Sequence, residues 1–130
     1  AGNRVYDESA LAIGNRVFIG HNVTFMVAQQ IVVEDGAGIA AGCFIADNDG
    51  HPIDYDRRVK KLPPAAEEVK PVCISRDAWI GRGSYVLKGV TIGEGAIVAA
   101  GSVVISDVPA FSLALGNPAR VVKALTRSVG

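Results

Sequence analysis

The chain has few aromatic residues, four Phe, three Tyr and one Trp in 130 positions, so its core cannot rest on large rings. Charge of either sign is not in excess: 13 Lys and Arg stand against 13 Asp and Glu. That balance removes the electrostatic case for nucleic acid or an acidic membrane surface as a partner. No apolar run approaches the roughly 20 residues of a membrane span, and no signal-peptide pattern is visible. The opening Ala1-Gly2-Asn3 reads as a processed or trimmed start, so targeting information can be missing from it. The two cysteines, Cys43 and Cys73, are too few for a disulfide framework. The expectation is a compact, soluble, cytoplasmic protein, and 130 residues allow one domain with no second core of normal size.

What is abundant is Val, Ile and Ala, as expected of stacked strands around a narrow interior. From Ile74 an apolar residue returns every sixth position: Ile74, Ile80, Val86, Ile92, Val98, Val104. Four places after each stands something small or β-branched: Ala78, Ser84, Val90, Ala96, Ser102, Val108. Glycines and charged residues cluster between. This period fits neither a 3.6-residue helix nor simple strand alternation; it is the hexapeptide period of a parallel β-helix. Three hexapeptides make one triangular coil, with the apolar side chain pointing inward onto its equivalent one coil away. Cys43 falls at a small inward position and reads as a reduced packing residue.

The same repeat is present earlier as Ile13, Ile19 and Phe25, with Val17 and Val23 at the small positions. It slips by two residues across Val27–Val32 and resumes at Val33, Ile39 and Ile45, with Ala37 and Cys43 as small partners. A slip at a solenoid corner is tolerated like a bulge, because burial restores the register beyond it. Residues 46–71 break the repeat with a polar, turn-rich opening, charges of both signs and Pro63-Pro64. We read 52–71 as a loop extruded from one corner, since the repeat continues in full afterwards, and a long loop in an economical domain is more often functional than idle. The expected coils run over about 13–30, 33–51, 74–91 and 92–109. Phe111–Leu115 reads as a last extended piece, Gly116-Asn117-Pro118 as a turn, and 119–127 as a short amphipathic C-terminal helix covering the solenoid end.

With these features in place, the chain resembles the hexapeptide-repeat, left-handed β-helix O-acetyltransferases of the maltose/galactoside acetyltransferase type, over about residues 11–124. The resemblance is carried by Gly50-His51-Pro52, Asp77-Ala78-Trp79-Ile80-Gly81, Gly89-Val90-Thr91-Ile92-Gly93, Ala100-Gly101-Ser102-Val103-Val104 and Gly116-Asn117-Pro118-Ala119-Arg120-Val121-Val122. It implies left-handed coiling, which the general right-handed preference of parallel crossovers would not suggest. It also implies acetyl-CoA as co-substrate, a homotrimer, and active sites in the grooves between subunits; a convex prism offers little concavity of its own.

Acyl transfer to a hydroxyl needs a base, donors for the developing oxyanion and alignment of both substrates. His51 is the one strong base candidate, because imidazole titrates near neutrality, and it matches the catalytic histidine of the resembling family. Asp47, Asp49 or Asp54 could orient its ring. By the resemblance, Asn22 lines the acceptor pocket and Trp79 flanks the pantetheine and acceptor end. Gly81, Ala99 and Ala100 match positions beside the pantetheine arm, and Arg120 and Lys123 match basic residues near the CoA phosphates. Each has a plainer reading. Asn22 is then a corner residue in a left-handed turn, Trp79 a subunit-interface anchor, and Gly81, Ala99 and Ala100 turn geometry. Arg120 and Lys123 become solvated side chains. Ser106 stands where the family often has lysine, which weakens the case for 3′-phosphate binding. His21 reads as an exposed corner residue.

A zinc enzyme of this fold would need three histidines around the metal, and the chain has only His21 and His51; no metal is expected. Phosphate-cradling and nucleophilic-serine motifs are absent. The expected activity is direct acetyl transfer from acetyl-CoA to a sugar or related hydroxyl. The alternatives are N-acylation of an amino sugar or antibiotic, and a scaffolding β-helix without catalysis. The loop and the region before residue 11 would shape the acceptor pocket.

Overall fold

The computed structural model describes residues 10–128; the region before residue 11, expected to border the acceptor pocket, lies almost wholly outside them. The first coil runs through β1 (Ala10–Ile13), β2 (Phe18–Ile19) and β3 (Thr24–Met26), and the second through β4 (Gln30–Val33), β5 (Gly38–Ile39) and β6 (Phe44–Ala46). After the loop, which holds a short helix α1 (Tyr55–Val59) and a 3₁₀ turn (Ala66–Glu68), come β7 (Val72–Ile74), β8 (Trp79–Ile80) and β9 (Tyr85–Val86). The fourth coil is β10 (Thr91–Ile92), β11 (Ile97–Val98) and β12 (Val103–Val104). Each coil gives one strand to each of three parallel sheets: A (β1, β4, β7, β10), B (β2, β5, β8, β11) and C (β3, β6, β9, β12). Three sheets and four turns make the triangular prism expected from the six-residue period.

Register is set by the inward row. Ile13 pairs with Val33, Val33 with Ile74 and Ile74 with Ile92 in sheet A. Ile19, Ile39, Ile80 and Val98 stack likewise in sheet B, and Phe25, Ile45, Val86 and Val104 in sheet C. From the second coil onward these side chains are at most 1% exposed. A slip of one residue would turn the whole row outward. The row of the first coil is open at its far side, with Ile13 44% exposed.

The corners explain the polar pattern. At every A–B corner one residue takes a left-handed φ: Arg16, Gly36, Asp77, Gly95 and Phe111. At the B–C corner the same role falls to Asn22, Gly42, Gly83 and Gly101. The small inward positions carry polar atoms only where a neighbouring corner satisfies them. The fully buried Ser84 and Ser102 hydroxyls both donate to the Ala99 carbonyl, at 3.1 and 2.7 Å. Cys43, also buried, sits with its Sγ 3.1 Å from the Gly81 carbonyl.

The C-terminal segment differs from expectation. β13 (Ser112–Gly116) joins sheet B in parallel with β11, and Ala119–Ala124 forms a strand, β14, antiparallel to β13, not a helix over 119–127. The helical period of Ala119–Arg127 is overridden by two facts. Val121-Val122 is β-branched, and β13 presents an unpaired edge that a returning strand satisfies better than a helix would.

The two-residue slip also has a cause. It lengthens the corner between β3 and β4, where the N–H groups of Ala28, Gln29 and Gln30 converge on the carboxylate of Asp47 at 2.8, 2.7 and 2.8 Å. Asp47 is fully buried. Asp47→Ala would leave three donors without their acceptor, and we expect a loss of about 2–4 kcal/mol in unfolding free energy by chemical denaturation. A loss below about 0.5 kcal/mol would mean that those donors find other partners.

Candidate active site

The loop leaves the prism at the C–A edge of the second coil and returns there. The Lys70 N–H donates to the Asp47 carbonyl at 2.9 Å, closing the stem. Asn48, largely buried, donates to the Asp47 carboxylate at 2.9 Å and accepts from the Gly50 N–H at 2.8 Å. Asp49 forms an ion pair with Lys88 of the next coil. His51 therefore stands, exposed, on a stem braced against two neighbouring corners.

Its ring is oriented by backbone. His51 Nδ1 lies 2.9 Å from the Pro52 carbonyl oxygen. A carbonyl can only accept, so this hydrogen bond takes its proton from Nδ1, and in the neutral ring Nε2 then keeps a lone pair. The Ile53 N–H, in the same peptide group as that carbonyl, donates to Glu68 at 3.0 Å. The other Glu68 oxygen accepts from the Ala65 N–H at 2.9 Å. These donors, Ala65 first and then Ile53, hold the Glu68 carboxyl below the usual carboxylate range. Arg58 Nη1 donates to the Ile53 carbonyl at 2.7 Å.

The three carboxylates that could have oriented the ring are engaged elsewhere: Asp47 on the long corner, Asp49 on Lys88, and Asp54 as N-cap of α1, accepting from the Arg57 N–H at 2.9 Å. The residue that completes the stem, Glu68, was not singled out in the sequence. An acidic pair Glu67-Glu68 just before the repeat resumes is a weak signal, and nothing in it distinguishes the two.

The other expected residues fall into groups. Asn22 has φ of 57° and takes the left-handed corner position that glycine holds in the coils beyond it, so corner geometry accounts for its identity. Gly81 and Ala100 meet on that same B–C edge: a Cβ on Gly81 would lie 2.5 Å from the Ala100 nitrogen. Close coil packing thus demands glycine there with or without a ligand. Ala99 donates its N–H to the Ala114 carbonyl at 2.9 Å. Trp79 faces out from sheet B, 41% exposed, its ring lying over Gly38 and stacked on Phe18 at 6.0 Å between centroids. Arg120 and Lys123 lie exposed on β14, where a helix was expected.

One chain does not bring His51 and Trp79 together. His51 leaves the C–A edge of the prism, whereas Trp79 faces out from sheet B, the side opposite that edge. A surface depression of about 450 Å³ lies near the A–B corner, lined by residues such as Val32, Glu34, Asp35 and Arg76, and none of the residues expected at the site lines it. Among the described residues no group of three or more His, Cys, Asp or Glu is placed to hold a metal ion.

Comparison with known proteins agrees with this architecture. Residues 74–106 match the family described as bacterial transferase hexapeptide (six repeats), and residues 11–46 match the hexapeptide repeat of succinyl-transferase. The Saccharomyces cerevisiae protein named "Putative acetyltransferase YJL218W" is 41% identical over 120 residues, which cover 87% of this chain and 58% of that protein. The hexapeptide-repeat containing acetyltransferase VCA0836 of Vibrio cholerae superposes with a TM-score of 0.82 at 35% identity, over 90% of this chain and 64% of that one. It has also been solved with acetyl-CoA bound. A maltose O-acetyltransferase from Clostridium difficile 630 superposes with a TM-score of 0.70 at 27% identity, over 91% and 68%. The chain spans little more than half the length of the curated relatives it matches.

The Glu68 contacts give the stem a pH dependence. A carboxyl depressed on folding stabilises the folded form above its unfolded value, and that contribution is lost as pH falls through the folded value. We expect hydrogen-exchange protection at Ile53 and Ala65 to hold above the ordinary Glu range, about 4.3, and to collapse below it. Glu68→Gln should weaken the protection and remove its pH dependence in that window.

Proposed function

We propose that this chain, which belongs to the hexapeptide-repeat acetyltransferase family, transfers an acetyl group from acetyl-CoA to a hydroxyl of a sugar or related small molecule, with His51 as general base. The observation that carries this reading is the 2.9 Å contact between His51 Nδ1 and the Pro52 carbonyl oxygen. The Nδ1–H is committed to the Pro52 carbonyl, which leaves Nε2 free to accept a proton from a bound alcohol. The acetyl-CoA complex of the Vibrio cholerae relative supports the donor, and the name of the Clostridium difficile relative supports a carbohydrate hydroxyl as acceptor.

In this mechanism Nε2 removes the hydroxyl proton as the oxygen attacks the thioester carbonyl. The tetrahedral intermediate collapses with cleavage of the C–S bond, and the imidazolium returns the proton to the departing CoA sulfur. Transfer is direct. Burial pushes both thiols, Cys43 and Cys73, above the ordinary cysteine value, which suits neither to act as a thiolate nucleophile.

The active unit we propose is a homotrimer, with each site formed between subunits. The support is geometric: His51 and Trp79 lie on opposite sides of one prism, so they can serve one reaction only if a neighbour supplies the second wall. In that arrangement Asn22 and Trp79 border the acceptor, Gly81, Ala99 and Ala100 border the pantetheine arm, and Arg120 and Lys123 reach the CoA phosphates.

Calorimetry should give about one acetyl-CoA site per subunit, and light scattering should give a trimer. His51→Ala should bind acetyl-CoA unchanged and lose about 10²–10⁴-fold in acetyl transfer to the acceptor found by screening sugars. A folded trimer that binds no acetyl-CoA would sink the enzymatic reading in favour of a scaffolding role.

A further inference from the structure

Two hydrogen bonds described above share one peptide group. The Pro52 carbonyl accepts from His51 Nδ1, and the Ile53 N–H on the other side of that C–N bond donates to Glu68. The peptide unit is planar and its electrons are delocalised, so an anion at the N–H end enriches the carbonyl oxygen at the other. Hydrogen bonds linked in this way polarise one another. We propose that Glu68 is a positioning residue for His51, acting through the Pro52–Ile53 peptide as a carboxylate–peptide–imidazole relay. It rests on the reading of His51 as the base and goes beyond it, since it assigns the ring's anionic partner to a residue that never touches the ring.

The relay does for this histidine what a directly bonded carboxylate does in a catalytic triad. It holds the Nδ1–H tautomer, keeps Nε2 pointed outward and stabilises the imidazolium formed when Nε2 takes the hydroxyl proton. No proton moves along it: Nδ1 keeps its hydrogen, the Ile53 N–H stays on nitrogen and Glu68 stays ionised. The proton gained at Nε2 leaves with the CoA sulfur.

The geometry favours this role over plain loop anchoring. Glu68 is fixed from both sides, by Ile53 and Ala65, while Arg58 holds the Ile53 carbonyl. The N–H of the peptide that carries the relay and the carbonyl of the peptide after it are thus both held. The three aspartates near the loop base are already occupied: Asp49 with Lys88, Asp54 with the N–H of Arg57, and Asp47 with three backbone donors.

The test is nitrogen-15 NMR of histidine-labelled protein, which has only two imidazoles to follow, His21 and His51. The Nδ1 and Nε2 shifts of a neutral ring report which nitrogen carries the proton. The wild type should show His51 protonated on Nδ1. In Glu68→Gln the share of neutral His51 rings protonated on Nδ1 should fall and the Nε2–H form should appear. His21, on a different edge of the prism, should not change, and Glu68→Asp should restore part of the wild-type pattern. Glu68→Ala provides a second variant should the glutamine amide disturb the Ala65 contact. A His51 tautomer unchanged in folded Glu68→Gln and Glu68→Ala would overturn the relay. So would a neutral wild-type ring protonated on Nε2. The measurement needs neither acetyl-CoA nor acceptor, so its failure is distinct from a failure of acetyl transfer.

Discussion

Everything in this molecule depends on one row of side chains lying directly over the next. The inward Ile and Val residues of three sheets are spaced six apart because each prism side and corner together consume six residues, and their burial forbids any other register. The interior this creates is narrow and lined by these side chains. Chemistry is confined to corners, outer faces and whatever the corners extrude.

That confinement explains why the stem of the loop is built as it is. A flexible excursion from a corner would hold a histidine in no particular orientation. Here Asp47 fastens the stem to the corner of the coil before, Lys88 meets Asp49 from the coil after, and Glu68 closes the far side. The repeat is thereby extended, in hydrogen bonds if not in strands, out to His51. The irregular corner at Val27–Gln30 and the loop, far apart in appearance, are two halves of one contact.

Much of the fold is legible in the sequence because burial is legible. Ile74, Ile80, Val86, Ile92, Val98 and Val104 announce the coil directly, and the small partners Ala78, Ser84 and Ala96 confirm the corner positions. The terminal segment is less legible: Ala119–Arg127 carries both a helical period and a β-branched pair, and only the open edge of β13 decides between them. His51 stands out through its Gly-His-Pro setting. Its support does not, because Pro52 acts through its carbonyl, which every residue has, and Glu68 reaches Ile53 only once the loop has folded back. Asp47, Asp49 and Asp54 look alike in the sequence and have three unrelated partners in space. Asn22 shows the opposite difficulty, a residue whose backbone conformation suffices to explain it.

The closure of the loop at its base carries one more consequence. The excursion begins and ends within a single hydrogen bond, Lys70 to Asp47, so the solenoid does not register how much chain lies between. The entropy of a closed excursion grows only logarithmically with its length. The stretch between Arg58 and Ala65 can therefore be lengthened, shortened or exchanged without retuning a single coil. A molecule built this way can rewrite what its loop presents while the packing of its coils is inherited unaltered.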